Sequence, residues 1–231
     1  MPGSFVAVSL ACRVGSAGRV VTGMAEQSRC TGGDRMRDSD IRAVLHSRLE
    51  ARHGGDPKTR IVDELGVLMG DSRVDVAVIN GKLEGFEIKS DRDRLVRLPR
   101  QADAYGRVFD RMTVVCCERH AAGVALCVPD WWGIEVVRSV SCCARIVRVR
   151  PPRANPGVEP GAVVQLLWRD EVLDELERLD KADGLRSKPR QVLWETLADA
   201  LPPRALRAVV RDRLRARKDW RVRAQQRPDG D

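Results

Sequence analysis

Residues 73–89 read Arg-Val-Asp-Val-Ala-Val-Ile-Asn-Gly-Lys-Leu-Glu-Gly-Phe-Glu-Ile-Lys, two alternating strand-like runs on either side of Asn80-Gly81. Asn-Gly between such runs is the strongest short-range hairpin signal in the chain, because both residues tolerate the backbone angles of a tight turn. Asp75 and Glu87 therefore belong to paired antiparallel strands. Side chains alternate along a strand, so Glu87 and Lys89 share one face while Phe86 and Ile88 occupy the other. Register decides whether the acids meet. A two-residue loop pairs Ile79 with Lys82 and puts Asp75 and Glu87 on opposite faces. A three-residue loop with Gly81 left-handed pairs Val78 with Lys82 and brings the acids together. The second register also gathers Val74, Val76, Val78, Phe86 and Ile88 on one apolar face, and it is the register predicted here.

Two carboxylates that converge repel each other unless a cation sits between them, and hard oxygen ligands favour Mg²⁺ or Mn²⁺ over softer metals. Such a cation suits phosphodiester hydrolysis: it polarises a phosphoryl oxygen and lowers the pKa of a bound water, while Lys89 orients that water or neutralises the transition state. Glu64 is a candidate third ligand. Its neighbour Asp63 points the other way on a strand and substitutes for it if the register differs. Gln101 and Tyr105 stand at i and i+4, so one helical face presents both. Each feature has a plainer reading. An acid-x-lysine on an exposed strand is common, and a tyrosine on an amphipathic helix is often a core residue with a satisfied hydroxyl.

Asp75 followed by Glu87-x-Lys89 resembles the signature of the PD-(D/E)XK nuclease superfamily, the restriction-endonuclease-like enzymes. Gln101-x-x-x-Tyr105 resembles the extra motif of its RecB-like branch. The resemblance implies an α/β fold with an α-β-β-β-α-β core and a mixed sheet. It implies that Asp75 and Glu87 bind magnesium, that Lys89 serves the attacking water and that Glu64 completes the metal shell. Asp75, Glu87, Lys89, Gln101 and Tyr105 would then be the catalytic set. Val74 stands where the family often carries proline, and the likeness covers about residues 38 to 137. The chain is also similar to small bacterial proteins of this superfamily with a basic helical C-terminal extension. The implied activity is Mg²⁺-dependent hydrolysis of nucleic acid, DNA being the favoured substrate. The alternative is a catalytically inactive nucleic-acid-binding or assembly module on the same fold. DNA repair, restriction and mobile-element processing all fit the first reading.

The chain has 231 residues, 43% hydrophobic and 32% charged, which is enough for a substantial core. A net charge of +8 favours an anionic partner, nucleic acid or an acidic membrane surface. No apolar run approaches the roughly 18 residues that span a bilayer, so the sequence reads as soluble; its cysteine usage suits the cytoplasm, and its charge with the resemblance makes nucleic acid, in the first place DNA, the expected partner. A homodimer is compatible with it. Seven cysteines without a Cys-x-x-Cys pair read as reduced thiols. An iron–sulfur set of Cys30, Cys116, Cys127 and Cys142 has the wrong spacing, and His46, His53 and His120 read as surface histidines.

Periodicity sets the organisation. Residues 1–35 read as a weakly ordered leader, with Met24 and Met36 as candidate starts; 36–150 as the nuclease-like core; 151–161, rich in Pro and Gly, as a linker; and 162–231 as a basic helical extension. In the core a helix over 40–52, capped by Asp38 or Ser39, carries Ile41, Val44, Leu45 and Leu49 on one face. Strands follow near 60–68, 73–79 and 83–89, a helix from Pro99 to about Asp110, and strands at Met112–Cys117 and Gly133–Val137. Trp131 and Trp132 are expected to pack at the sheet edge. Helices near 168–180, 188–200 and 203–218 use Trp168, Trp194 and Trp220 as anchors. On the last one Leu206, Val209, Val210 and Leu214 form the buried stripe, and Arg207, Arg211, Arg215 and Lys218 repeat on another face. That basic stripe either follows a phosphate backbone or is a solvated helix face.

Overall fold

In a computed structural model, which describes residues 36–140, 143–218 and 220, the expected hairpin is the centre of one six-stranded mixed sheet. The strands are β1 (Arg60–Val67), β2 (Ser72–Ile79), β3 (Leu83–Lys89), β4 (Arg111–Cys117), β5 (Gly133–Val140) and β6 (Cys143–Arg150), and they lie in chain order across the sheet. β1, β2 and β3 are antiparallel, as are β5 and β6. β3, β4 and β5 run parallel. Parallel neighbours need a crossover, and helix α2 (Leu98–Gly106) supplies the first and α3 (Ala121–Cys127) the second. With α1 (Asp38–His53) in front, the order α-β-β-β-α-β runs from Asp38 to Cys117. The leader expected over residues 1–35 lies outside the described residues, as do Cys30 and Cys142.

The hairpin register corrects the expectation in its details. Ile79 pairs with Leu83 and Val76 with Phe86, so the loop does have three residues but they are Asn80, Gly81 and Lys82. Gly81 is not left-handed. Instead Asn80 closes the turn, donating its N–H to the Lys82 carbonyl at 3.0 Å and accepting the Lys82 N–H on its side-chain oxygen at 3.0 Å. Such an Asx contact substitutes for the glycine conformation that the sequence suggested.

Two apolar layers sandwich the sheet. On one side Ile41, Leu45 and Leu49 of α1 cover Val76, Val78, Phe86, Ile88, Val115, Cys117 and Val137. The spacing of those three residues is one helical stripe. Val44 is only half-buried, and α1 starts two residues earlier than expected, after Arg37, whose N–H is accepted by the Asp40 carboxylate at 2.9 Å. On the other side lie Val62, Leu65, Val74, Ala77 and Ile79 with Tyr105, Phe109, Trp132 and the C-terminal helices. Val74, expected beside Val76, therefore belongs to the opposite layer. Cys116 and Cys117 point into different layers, which excludes them as joint ligands, and burial pushes both thiols up to about 12.

The segment expected as a linker is fastened to the α2–β4 turn. Asn155 donates its amide to the carbonyls of Gly106 and Phe109, and Glu159 N–H reaches Arg107 O at 2.9 Å. The short helix α4 (Pro160–Val163) begins there, followed by α5 (Arg169–Arg178), α6 (Arg190–Ala200) and α7 (Pro203–Ala216). Leu206, Val210 and Leu214 of α7 and Trp194 of α6 join the same apolar layer as the sheet. Trp132 is fully buried and stacks on Tyr105 with centroids 6.2 Å apart. No helix among the described residues is long and apolar enough to cross a membrane.

Candidate active site

Register places three acids in one row across adjacent strands. Asp63 pairs with Val76 and Leu65 with Val74, so Glu64 of β1 falls opposite Asp75 of β2. The β2–β3 ladder stops at Val76–Phe86, one step short of bringing Asp75 opposite Glu87. Beyond that point the strands fork, and the Asp75 side chain takes over a ladder position: its Oδ2 accepts the Ile88 N–H at 2.6 Å. Glu64 has a left-handed backbone, φ +55°. Such a conformation is costly for a residue with a Cβ and concentrates at functional positions. The irregular row also explains why Val62 and Leu65, and Val74 and Ala77, share a layer that strict alternation would deny them.

Glu87 and Lys89 are almost fully buried on the α2 side of the sheet. The Lys89 ammonium donates to Glu87 Oε1 at 2.5 Å and to Gln101 Oε1 at 3.2 Å, and Gln101 donates its amide to the same Glu87 oxygen at 2.7 Å. The Tyr105 hydroxyl lies 2.6 Å from Arg73 O and 3.1 Å from Glu87 Oε2, so its single proton serves one acceptor at a time. Burial and the neighbouring Glu87 push the phenol far above its ordinary pKa, which fixes it as a donor. Gln101 and Tyr105 are thus brought to Glu87 as their i, i+4 spacing on α2 anticipated.

Asp75 is the strained charge. Burial first, then the carboxylate of Glu87, raise its pKa from the ordinary range to about 7, against the lowering effects of the Ile88 N–H, Arg42 and Lys89. The structure adds Arg42, a residue the sequence reading did not single out. Its guanidinium donates to Asp75 O at 2.9 Å, to Asp75 Oδ1 at 3.2 Å and to Glu64 Oε1 at 3.0 Å, and it also meets Asp38. Burial works against the Arg42 charge, yet Asp38, Asp75 and Glu64 outweigh it and hold the pKa above its usual value. Glu64 is divided between Arg42 and Arg73. Asp63 lies 2.7 Å from His46 and 3.6 Å from Arg42, while Glu64 is the residue opposite Asp75 in the row. Among the described residues no three His, Cys, Asp or Glu side chains converge as a ready metal cage. The hard oxygen donors that face each other are Asp75 and Glu87. Their mutual repulsion is the feature a divalent cation relieves, so this pair fits Mg²⁺ or Mn²⁺.

The basic stripe of α7 sits in a different setting. Arg207 and Arg211 both turn to Asp110, at 3.2 and 3.7 Å, and Asp110 also accepts the Leu83 N–H at the start of β3. Arg215 meets Asp212 and Lys58 O. Lys218 is exposed. Between them Arg213 pairs with Asp174 and Glu175, while the buried Arg217 is held by Glu171 and lies 3.8 Å over Trp168 and 4.7 Å over Trp220. Asp110 carried no motif in the sequence. It stood there only as the approximate end of the helix expected from Pro99.

Comparison with known proteins adds a family. No solved structure matches the chain. Protein cII of Enterobacteria phage P4 is 29% identical over 143 residues, 62% of this chain and 54% of that protein, so the matched part spans about half the length of this curated relative. A family model described as Bacteriophage P4 protein cII matches residues 33–226, a span that takes in the acidic row, the Glu87 network and all of α7. By that match over most of its length, the chain belongs to the Bacteriophage P4 protein cII family.

Proposed function

We propose that the chain is a metal-dependent nuclease that hydrolyses phosphodiester bonds of nucleic acid, DNA in the first instance, on a restriction-endonuclease-like core. The observation that carries the reading is the opposition of Asp75 and Glu87 at the fork, with Lys89, Gln101 and Tyr105 gathered on Glu87 in one hydrogen-bonded network. Asp75 and Glu87 would hold Mg²⁺ or Mn²⁺, with Glu64 as the nearest further carboxylate. The ion would supply Lewis acidity toward a phosphoryl oxygen and acidify a bound water. The chain's own groups do the rest. Glu87 is held by the donors of Lys89 and Gln101, with the Tyr105 hydroxyl shared between it and Arg73 O, so its carboxylate is preorganised. Lys89 carries a buried positive charge next to it, able to orient a water or offset charge that grows on the phosphoryl oxygens. Gln101 fixes the Lys89 ammonium and Glu87 relative to each other, and the Tyr105 hydroxyl stands between Glu87 and the Arg73 carbonyl of β2.

One observation favours the other reading, an inactive nucleic-acid-binding or assembly module: Arg42 already neutralises part of the acidic row. Calorimetric titration with Mn²⁺ separates the two. The nuclease reading expects one divalent site that disappears in Asp75→Ala. The absence of divalent binding in the unaltered chain would leave the inactive module.

A further inference from the structure

The segment from Ser90 to Arg100 joins β3 to α2, and so it runs directly from Lys89 to Gln101. It is pinned from within. Asp93 accepts the Ser90 N–H at 2.7 Å and the Ser90 hydroxyl at 2.5 Å, and His120 contacts Ser90 O at 3.1 Å. Asp91 accepts the Met36 N–H at 2.9 Å and pairs with Arg119 at 3.1 Å. Leu95 is packed against α3 so closely that a Cβ on Gly123 would stand 2.7 Å from it. Both acids of the segment are therefore spent on holding its shape.

Of its four arginines only Arg100 is, paired with Asp71 at 3.2 Å. Arg92, Arg94 and Arg97 are all exposed, and among the described residues none of the three has a carboxylate at ion-pair distance. Val96, between them, is 83% exposed. Chain geometry keeps these groups near the site: Arg92 is three residues beyond Lys89, within about 11 Å along the chain, and Arg97 stands one helical turn, about 6 Å of rise, before Gln101. Arg207, Arg211 and Arg213 of α7 and Arg217 just beyond it offer the control, because they are matched by carboxylates of this same chain. A rigid loop that uses its acids internally and leaves three arginines and an apolar tip outward has the character of a phosphate-backbone contact surface, where guanidinium forks bind phosphate and the apolar group touches sugar or base.

We propose that this connector seats the nucleic-acid strand, with Arg92, Arg94 and Arg97 holding its phosphodiester backbone beside Glu87 and Lys89; the proposal rests on the nuclease reading above. Each phosphate neutralised releases counterions and contributes about 0.9 to the slope of log affinity against log salt, so three contacts are worth about three units.

The test is fluorescence anisotropy of the full chain with labelled single- and double-stranded oligonucleotides over a salt series, in chelator so that no cleavage intervenes. The triple variant R92Q/R94Q/R97Q should lower the slope by about two to three units, and R92K/R94K/R97K should restore most of it. An unchanged slope in the glutamine variant, or no binding of either oligonucleotide by the unaltered chain, overturns the proposal. So does a glutamine variant that loses binding to phosphatidylserine vesicles while its oligonucleotide binding stays intact, since the surface then belongs to a membrane. Parallel Mg²⁺ cleavage assays keep the two ideas apart. A flattened slope without cleavage in the unaltered chain removes the nuclease reading alone. Retained cleavage with an unchanged slope removes the binding surface alone.

Discussion

At the β2–β3 fork two carboxylates face each other and Asp75 is pushed up to about 7, whereas along α7 and just beyond it a run of arginines finds carboxylates: Arg207 and Arg211 at Asp110, Arg213 at Asp174 and Glu175, Arg217 at Glu171. Both regions are rich in charge, yet one holds it in conflict and the other in balance. Matched charges fasten a helix to its domain. Conflicting charges in a buried place persist only where something else maintains them, which is why perturbed carboxylates concentrate at functional sites. The contrast expects substitutions in the fork to change chemistry more than stability, and substitutions in α7 to do the reverse.

The sharpest way to break that contrast is Asp75→Asn, which keeps an acceptor for the Ile88 N–H but removes the charge. Cleavage should fall by about three orders of magnitude, as when a group acting on the transition state is lost. Stability should move the other way. A folded pKa of about 7 lies above the ordinary carboxylate value, so the folded chain holds the proton more tightly than the unfolded chain. Stability is then greatest below about pH 4, falls as pH rises from about 4 to 7, and is level above that. The asparagine variant should be more stable than the unaltered chain at pH 8 by about 1–2 kcal/mol, and the gain should vanish near pH 4. Chemical denaturation at the two pH values checks this. A variant less stable at pH 8 would mean that Asp75 is not in conflict.

Arg217→Ala probes the balanced region. It removes a buried guanidinium and leaves the Glu171 carboxylate with no cation and only the Trp168 N–H, which should cost about 3 kcal/mol and lower the melting temperature by about 6–12 °C. The cleavage rate at 25 °C should be unchanged. A loss of rate with normal melting would place α7 in the chemistry. Lys89→Ala comes next: the rate should fall by about a hundredfold while divalent-metal and DNA binding are retained. An equal loss of DNA binding would make Lys89 a phosphate anchor. The smallest effect is expected from replacing Arg207, Arg211, Arg215 and Lys218 together by Gln. Because three of the four already face carboxylates, the salt slope of DNA binding should change by less than about one unit. A shift of about four units would restore α7 as the nucleic-acid-binding face.

Local chemistry made the hairpin, the three acids and the Gln101–Tyr105 pair legible in the sequence, since each rests on spacing within one strand, turn or helix. What the sequence hid was mostly long-range. Arg42 lies 33 positions before Asp75, on a helix whose visible pattern is only its apolar stripe. A hint existed in Asp38–Arg42 at i, i+4, but that pair is ordinary on helix surfaces. Val74 changes layer together with its partner Leu65, next to a left-handed Glu64 that no propensity suggests for a glutamate. Helix α3 is short, and β6 alternates only over Val147-Arg148-Val149-Arg150, so neither shows a long period. Residues 151–161 look like a linker by composition. Asn155 and Glu159 tie them down through backbone groups that sequence does not display.

The central claim is that the fork is a metal-dependent phosphodiesterase site, and the most direct measurement is cleavage of labelled DNA by the purified full chain with Mg²⁺ or Mn²⁺ and with excess chelator, beside Glu87→Gln. The account predicts cleavage with either metal, none in chelator, and a loss of about a thousandfold in the glutamine variant. Cleavage that persists in chelator, or that is equal in Glu87→Gln, would contradict it.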